Sequence, residues 1–307
     1  MSADSNRAPV AWVLNFDAEE ELGALRRYQP TAPMLAVLAR QRARLVEASA
    51  RGRSFLAPGD VVIDEGTPPG AAAGLEGRAW CPTPRAVRLL ERAGASPRGV
   101  VDIDVLRRVN GRPFAAQLRE HLDGPGFEKR VASDLEVALS LIARPAPLGW
   151  LVRRTFGAAG RGRRRLAAGG VEGADRAWLV ASLRGGPIVI EPWTQVLEEF
   201  TVCGEIGKAG VVRPLAPGQQ LTTRHGAWLS TEEAVRSVVD RADAQLVMGA
   251  CEQVGRALAE AGYRGPYGID AFRHRPPAGG PARLNVLSEI NARVTMDRPS
   301  AAASSPR

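Results

Sequence analysis

The sequence predicts an α/β protein, and three observations predict it. Over roughly the first hundred residues, apolar runs bounded by Gly and Pro alternate with segments of helical periodicity. Near the C-terminus, "YGIDAF" and "SEINAR" are short apolar runs carrying acids and an amide at the alternating positions that neighbouring strands produce. With 307 residues and 45% hydrophobic content, the chain can bury one large core or two ordinary ones.

In chain order, "APVAWVLNFDAEEEL" reads as a first strand whose end, at Asn15 and Asp17, feeds a polar loop. "DVVIDEG", between Pro58-Gly59 and "GTPPG", reads as a second strand. "TPRAVRLLERAG" has Pro84 where a first helical turn accepts it, Val87, Leu89, Leu90 and Ala93 at helical spacing, and Gly94 as its stop. "DIDVLRRVNGRPFAAQLREHL" continues as helix, broken at Gly111-Arg112-Pro113. "SDLEVALSLIA" opens with a capping box, Ser133 with Glu136, and carries Leu135, Leu139 and Ile142 on one face. The longest expected helix runs over 231–261, with a second capping box at Ser230 and Glu233 and apolar positions at Val235, Val239, Leu246, Ala250, Val254 and Leu258. The tail, 299–307, is small and polar and is expected to be disordered.

Composition excludes some classes. No apolar run reaches membrane-spanning length and no leader pattern opens the chain, so a cytoplasmic, non-membrane protein is expected. Cys81, Cys203 and Cys251 are scattered and give neither a disulfide framework nor a metal spacing. The net charge of +8 suggests an anionic partner. Yet only Lys129 and Lys208 among the 41 basic residues are lysines, so arginine clusters partly reflect a general replacement of lysine.

Three stretches carry chemistry. Glu289 and Asn291 share one strand face, and Asp270 on an adjacent strand would join them, an all-oxygen set suited to Mg²⁺; a solvated polar face is the plain alternative. "WLVRRTFGAAGRGRRRL" is an apolar strand entry, then Arg153 and Arg154, a loop with Gly157, Gly160 and Gly162, and further arginines. Glycines admit a phosphate to the backbone and guanidinium groups match its oxygens, although neither the P-loop nor the dinucleotide spacing is present. A solvated turn or a nucleic-acid patch accounts for the same residues. "PIVIEPWTQVLEEFTVCGEI" places a strand exit at Glu191-Pro192-Trp193 and acids at Glu198 and Glu199, which suits a purine nucleoside or a simple β-meander.

The order of these stretches resembles the ATP-grasp superfamily over about residues 106–298, and the most specific element is the E-x-N-x-R pattern of "SEINAR" behind the acidic strand. The resemblance implies a Rossmann-like pre-ATP-grasp domain over 1–105, followed by a two-lobed ATP-grasp domain over 106–298. It implies ATP and Mg²⁺ (with Mn²⁺ as an alternative) as cofactors, with Asp270, Glu289 and Asn291 as metal ligands. Arg293 would orient phosphate or an acyl phosphate, and Phe156 to Gly162, with Arg161, would cover the phosphates. Glu191 and Trp193 would bracket adenine, and Glu199 would meet the ribose. Arg153, or Arg154 by a one-residue slip, stands where the superfamily usually has a phosphate-binding lysine. Asn110 and Arg112 stand near the place of its earlier helix-start lysine.

The activity implied is ligation: a small-molecule carboxylate becomes an acyl phosphate and is captured by an amine or similar nucleophile. Homodimers are common in the superfamily. His225 would either line the acceptor pocket or lie in a solvated loop. Two rival readings stand beside this one. A catalytically lapsed scaffold would bind nucleotide or a partner without turnover. A nucleic-acid-binding protein would use the six arginines between 153 and 165, with Trp150 and Phe156 as stacking surfaces.

Overall fold

The computed structural model describes residues 7–24, 26–50, 55–123, 127–157, 160–215, 218–222, 228–233, 241–276 and 279–296. Among them lie three sheets.

The first sheet is parallel, in the order β2-β1-β3-β4. Its elements are β1 (Val10–Val13), α1 (Ala18–Leu22), α2 (Ala32–Ala50), β2 (Val61–Ile63), β3 (Glu76–Ala79), α3 (Pro84–Arg92) and β4 (Ser96–Pro97). Every residue of β1 is buried, as an unbroken apolar run in a parallel sheet requires. Its two faces enter different cores: Ala11 and Val13 pack with Ile63, Leu89 and Leu90, while Val10 and Trp12 join the large central core. Pro84 opens α3 as expected, and Gly94, at φ +80°, follows its end.

Two short helices lead onward, α4 (Ile103–Asn110) and α5 (Arg112–Arg119), and the expected break falls at Gly111, whose backbone is extended. Asp102 caps α4 by accepting from the backbone N–H of Asp104 at 2.8 Å.

The second sheet is antiparallel, in the order β5-β8-β6-β7. Its elements are β5 (Arg130–Ala132), α6 (Leu135–Ala143), β6 (Trp150–Arg154), β7 (Arg163–Leu166), α7 (Gly173–Leu183) and β8 (Ile188–Pro192). Trp150 and Val152 of β6 and Ile188 and Ile190 of β8 pack with Ala138 and Ile142 of α6 and Leu179 of α7. The alternate residues, Leu151, Arg153, Val189 and Glu191, therefore face away from the helices. The Ser133 capping box is corrected: Asp134 is the N-cap of α6 and accepts from the Val137 N–H at 2.8 Å. Aspartate and serine serve equally well there, and the true start lies one residue later. The last three arginines of the basic stretch, read as following a loop, form the strand β7.

The third sheet runs β12-β11-β9-β13-β14, with β10 paired to β9. It contains β9 (Gln195–Ile206), β10 (Val212–Pro214), β11 (Gly218–Thr222), β12 (Trp228–Glu233), α8 (Arg241–Glu260), β13 (Gly265–Arg275) and β14 (Arg283–Asn291). Val247, Ala250, Cys251, Val254 and Leu258 of α8 enter the central core. Tyr267 fills the space between sheet and helix, its hydroxyl donating to the Cys251 carbonyl at 2.9 Å. Gly204 and Gly255 are required there, because a Cβ at either would overlap its ring or hydroxyl. The expected helix over 231–261 is corrected at its start, since Ser230 and Glu233 lie in strand β12 and the helix begins at Arg241. Val235, Val239, His225 and the tail lie outside the described residues. Among the described residues no helix is long and apolar enough to cross a membrane.

Candidate active site

β13 and β14 pair with Asp270 opposite Glu289 and Gly268 opposite Asn291, so the three predicted ligands project from one face of one hairpin. Asn291 Nδ2 donates to Asp270 Oδ2 at 3.0 Å. Among the described residues no group of three or more His, Cys, Asp and Glu side chains is placed to hold a metal. The hairpin offers two carboxylates and an amide, a smaller but all-oxygen set that a hard divalent cation accepts alongside water and phosphate.

Cations from outside the hairpin meet this face. Arg112 Nη2 lies 2.8 Å from Glu289 Oε1, and Arg153 Nη1 lies 3.7 Å from Glu289 Oε2. Arg153 also pairs with Glu191, Nε to Oε1 at 2.9 Å. Lys129, just before β5, lies 3.3 Å from Glu191 Oε2 and donates to the Ser288 carbonyl at 2.7 Å, tying the second sheet to the third. Both Lys129 and Glu191 are buried.

Electrostatics fix the charge states. Burial works against the charge on Glu289, but Arg112, then Arg153, Arg293 and Lys129, outweigh it and hold the carboxyl below its ordinary range. Glu191 is likewise held low, burial being overridden by Arg153 and Lys129. Burial lowers the Lys129 pKa, with Glu191 opposing it. Burial also opposes the Arg153 charge, yet Glu191, Glu289, Asp270 and Glu199 together raise its pKa. Among the described atoms, Nε of Arg112, Nε of Arg153 and Oε2 of Glu191 are buried without an aligned hydrogen-bond partner. Arg112 Nε, a buried donor in want of an acceptor, suits an anionic ligand, while Arg153 Nε already lies 2.9 Å from Glu191 Oε1.

Several predicted residues land elsewhere. Arg154 has the opposite parity to Arg153: its Nε donates to Ser182 Oγ at 2.9 Å and its guanidinium covers the Trp178 ring of α7, so it faces the helix-covered side of β6, away from Glu289. The Glu191 carboxylate, predicted to bracket adenine, is held by Lys129 and Arg153. Trp193 carries Arg165 over its ring at 4.8 Å, and its backbone N–H donates to the Gly149 carbonyl. Glu199 lies on β9 at the same parity as Thr201, which pairs with Asp270, so it shares the face that carries the hairpin's carboxylates.

The glycine loop reaches the first sheet's helices. The Gly157 N–H donates to Glu19 Oε2 at 3.1 Å, Arg161 pairs with Glu20 at 2.6 Å, and the Gly157 carbonyl accepts from Arg112. Gly160 and Gly162 have φ of 77° and 69°, a region costly to side-chain-bearing residues. Arg293 closes the same ring, bonding Glu19 Oε1 at 3.1 Å with its guanidinium over Trp80. Asn110 clamps the exit of β14 by accepting from the Ala292 N–H at 2.9 Å. Of the nucleic-acid surfaces, Trp150 is buried, and all six arginines have partners within the chain.

Sequence reading missed Lys129, Arg163 and Glu19. Lys129 had one signal: it is among two lysines in an arginine-rich chain and has the parity of Val131, whose partner Val189 faces away from the helices. Arg163 pairs directly with Arg153 across β6 and β7. Like charges placed opposite one another destabilise a sheet unless an anion joins them.

No protein-family model and no curated protein matches the sequence. Solved structures do. D-alanyl-alanine synthetase A from Vibrio cholerae O1 biovar eltor matches with TM-score 0.52 at 12% identity, over 94% of this chain and 90% of that one. N5-carboxyaminoimidazole ribonucleotide synthetase from Thermus thermophilus matches with TM-score 0.51 at 16% identity, over 93% and 72%. The biotin carboxylase domain of Hydrogenobacter thermophilus 2-oxoglutarate carboxylase, solved as a dimer with MgADP, ADP and bicarbonate, matches with TM-score 0.51 at 16% identity, over 95% and 60%. The chain spans 51% of the length of one further N5-carboxyaminoimidazole ribonucleotide synthetase and 64% of the Staphylococcus aureus enzyme.

Proposed function

The chain has the ATP-grasp fold, and from that premise we propose that it binds ATP with Mg²⁺ or Mn²⁺ where the second and third sheets meet. There it activates a small-molecule carboxylate that an amine or similar nucleophile captures. The observation that carries this reading is the convergence of Asp270, Glu289 and Asn291 on one hairpin face, met by Arg112, Arg153 and Lys129.

Asp270, Glu289 and Asn291 would hold the cation. When bound, the cation would neutralise charge on the transferred phosphoryl group. Arg112 and Arg153 offer guanidinium N–H groups to phosphate oxygens. Lys129 supplies the compact point charge that β6 lacks, and Glu191 positions both Lys129 and Arg153. Glu199 accepts from a ribose hydroxyl, and Arg293, held by Glu19, orients the acid. One oxygen of the substrate carboxylate attacks the γ-phosphorus as the bond to the β–γ bridging oxygen breaks, releasing ADP. The nucleophile then attacks the acyl carbon, inorganic phosphate leaves, and the nucleophile loses its proton. Positioning and charge carry such a transfer.

One observation favours the second reading, a scaffold that binds without turnover. Both oxygens of Glu289 already face arginines, and the strand lysine is an arginine. ADP release measured with ATP, Mg²⁺ and a panel of carboxylates and amines separates the two. The ligase reading predicts release that needs both substrates and is lost in Glu289→Ala. ATP binding with no release for any pair would instead establish the scaffold.

A further inference from the structure

A cavity of about 530 Å³ lies beside the site just described, and Arg293 forms part of its wall. Two independent features of the fold lead to it. Trp80 and Pro82 follow the end of β3, and Arg98 and Gly99 follow β4, so the cavity opens at the carboxyl ends of parallel strands. Open parallel sheets take their ligands at that edge. On the other side it is floored by Glu205 and Pro266, which pair with one another across β9 and β13. Both have the parity of Thr201 and Asp270, so the floor continues the face that carries the carboxylate hairpin.

The walls are strongly cationic. Arg78, Arg98, Lys208, Arg264 and Arg293 line the cavity against only two carboxylates, Glu76 and Glu205. Glu76 is already neutralised, by Arg78 at 2.8 Å and Arg98 at 3.7 Å. Arg264 gives one nitrogen to the carbonyls of Ala259 and Tyr263, and Arg293 spends part of its charge on Glu19. Lys208, in the turn after β9, is exposed. Several converging cations around one concavity focus a positive potential and select for charge number in whatever enters.

We propose that this cavity is the acid-substrate site and that it takes a small polyanion, an acid with at least two negative charges, in preference to a monocarboxylate. This rests on the ligase reading: one carboxylate would reach Arg293 at the boundary with the phosphate site, while the further negative groups lie toward Arg78, Arg98 and Lys208.

Calorimetry on the full chain without nucleotide tests it, with citrate and acetate as probes. Citrate should bind at least tenfold more tightly than acetate. Lys208→Glu and Arg98→Glu, both changes of exposed side chains, should each weaken citrate at least tenfold. Arg176→Glu, an exposed position on α7 away from the cavity, should leave it unchanged. Equal weakening by Arg176→Glu would reduce the effect to net charge and overturn the site, as would equal affinities for citrate and acetate. ATP with Mg²⁺ is titrated into the same variants. Citrate binding without ATP binding overturns the ligase reading and leaves an anion site; ATP binding without citrate binding does the reverse.

Discussion

Two buried charge clusters in this molecule are built to opposite plans. In the first, Arg85 at the start of α3 pairs with Asp17 and Glu65 and meets Glu21, which accepts from the Arg85 N–H at 2.9 Å and from Thr83 Oγ1 at 2.6 Å. Asn15 joins it by donating to the Cys81 carbonyl at 2.9 Å. All these residues precede α4, and the cluster locks α1 and α3 onto the first sheet. The second cluster draws Arg112, Lys129, Arg153, Glu191 and Glu289 from separate elements and joins two sheets. In the first, Arg85 serves three acids on neighbouring elements, whereas in the second three cations from separate elements crowd two acids. Burial and charge are common to both clusters; what sets the second apart is the excess of cations and the separate elements it joins.

The largest effect comes from breaking the first cluster. Arg85→Met strands Asp17 and Glu21 in the interior and should cost about 3–5 kcal/mol, read by chemical denaturation. A loss below about 1 kcal/mol would show that the cluster does not hold the domain together.

Next is the cation at the centre of the second cluster. Arg153→Met should weaken Mg-dependent ATP binding by roughly 10- to 100-fold, the range expected for loss of a charged hydrogen bond of about 1.5–3 kcal/mol. Arg153→Lys should restore most of it if a point charge suffices there, and little if the fork is needed. Equal ATP affinity in all three proteins would remove Arg153 from the phosphate site.

Acid sharpens the contrast further. Glu191 and Glu289 have pKa values below their ordinary 4.5 in the folded chain, so the stability they contribute is fully present above that value. It is lost as pH falls through the lower folded values. Denaturation curves should therefore show stability declining below about pH 4.5, and Glu191→Gln should flatten part of that decline. An unchanged slope in the variant would mean the cluster does not govern acid sensitivity.

The smallest effect is the parity control. Arg154→Ala removes one hydrogen bond and one cation–π contact on the helix-covered face, a loss of about 1–2 kcal/mol. ATP affinity should not change. If it falls as far as in Arg153→Met, the assignment of faces on β6 is wrong.

The same parity explains what was legible in the sequence. Asp270, Glu289 and Asn291 were readable because alternation on adjoining strands is a local property, and register then needed only the β13–β14 pairing. The α3 helix announced itself through Pro84 and Gly94. Arg153 and Arg154 were not separable, since their side-chain directions depend on which face of β6 receives α6 and α7. Lys129 escaped notice because β5 is only three residues long and pairs with β8, far along the chain. The ion pairs of Glu191 were hidden for the same reason: its partners come from β6 and from the residue before β5. Ser230 and Glu233 matched a helix start by type and spacing, but a capping box is a pattern of two residues, and the β11 pairing overrode it. The cationic cavity depends on side chains from two sheets and was invisible to any single stretch.

Whether the carboxylate hairpin holds a nucleotide-bound cation is decided by ATP affinity from calorimetry, with and without Mg²⁺, for the wild type beside Glu289→Ala and Asn291→Ala. The wild type should bind in a Mg-dependent way that both substitutions abolish. Binding that ignores Mg²⁺, or that survives both substitutions, would contradict this reading.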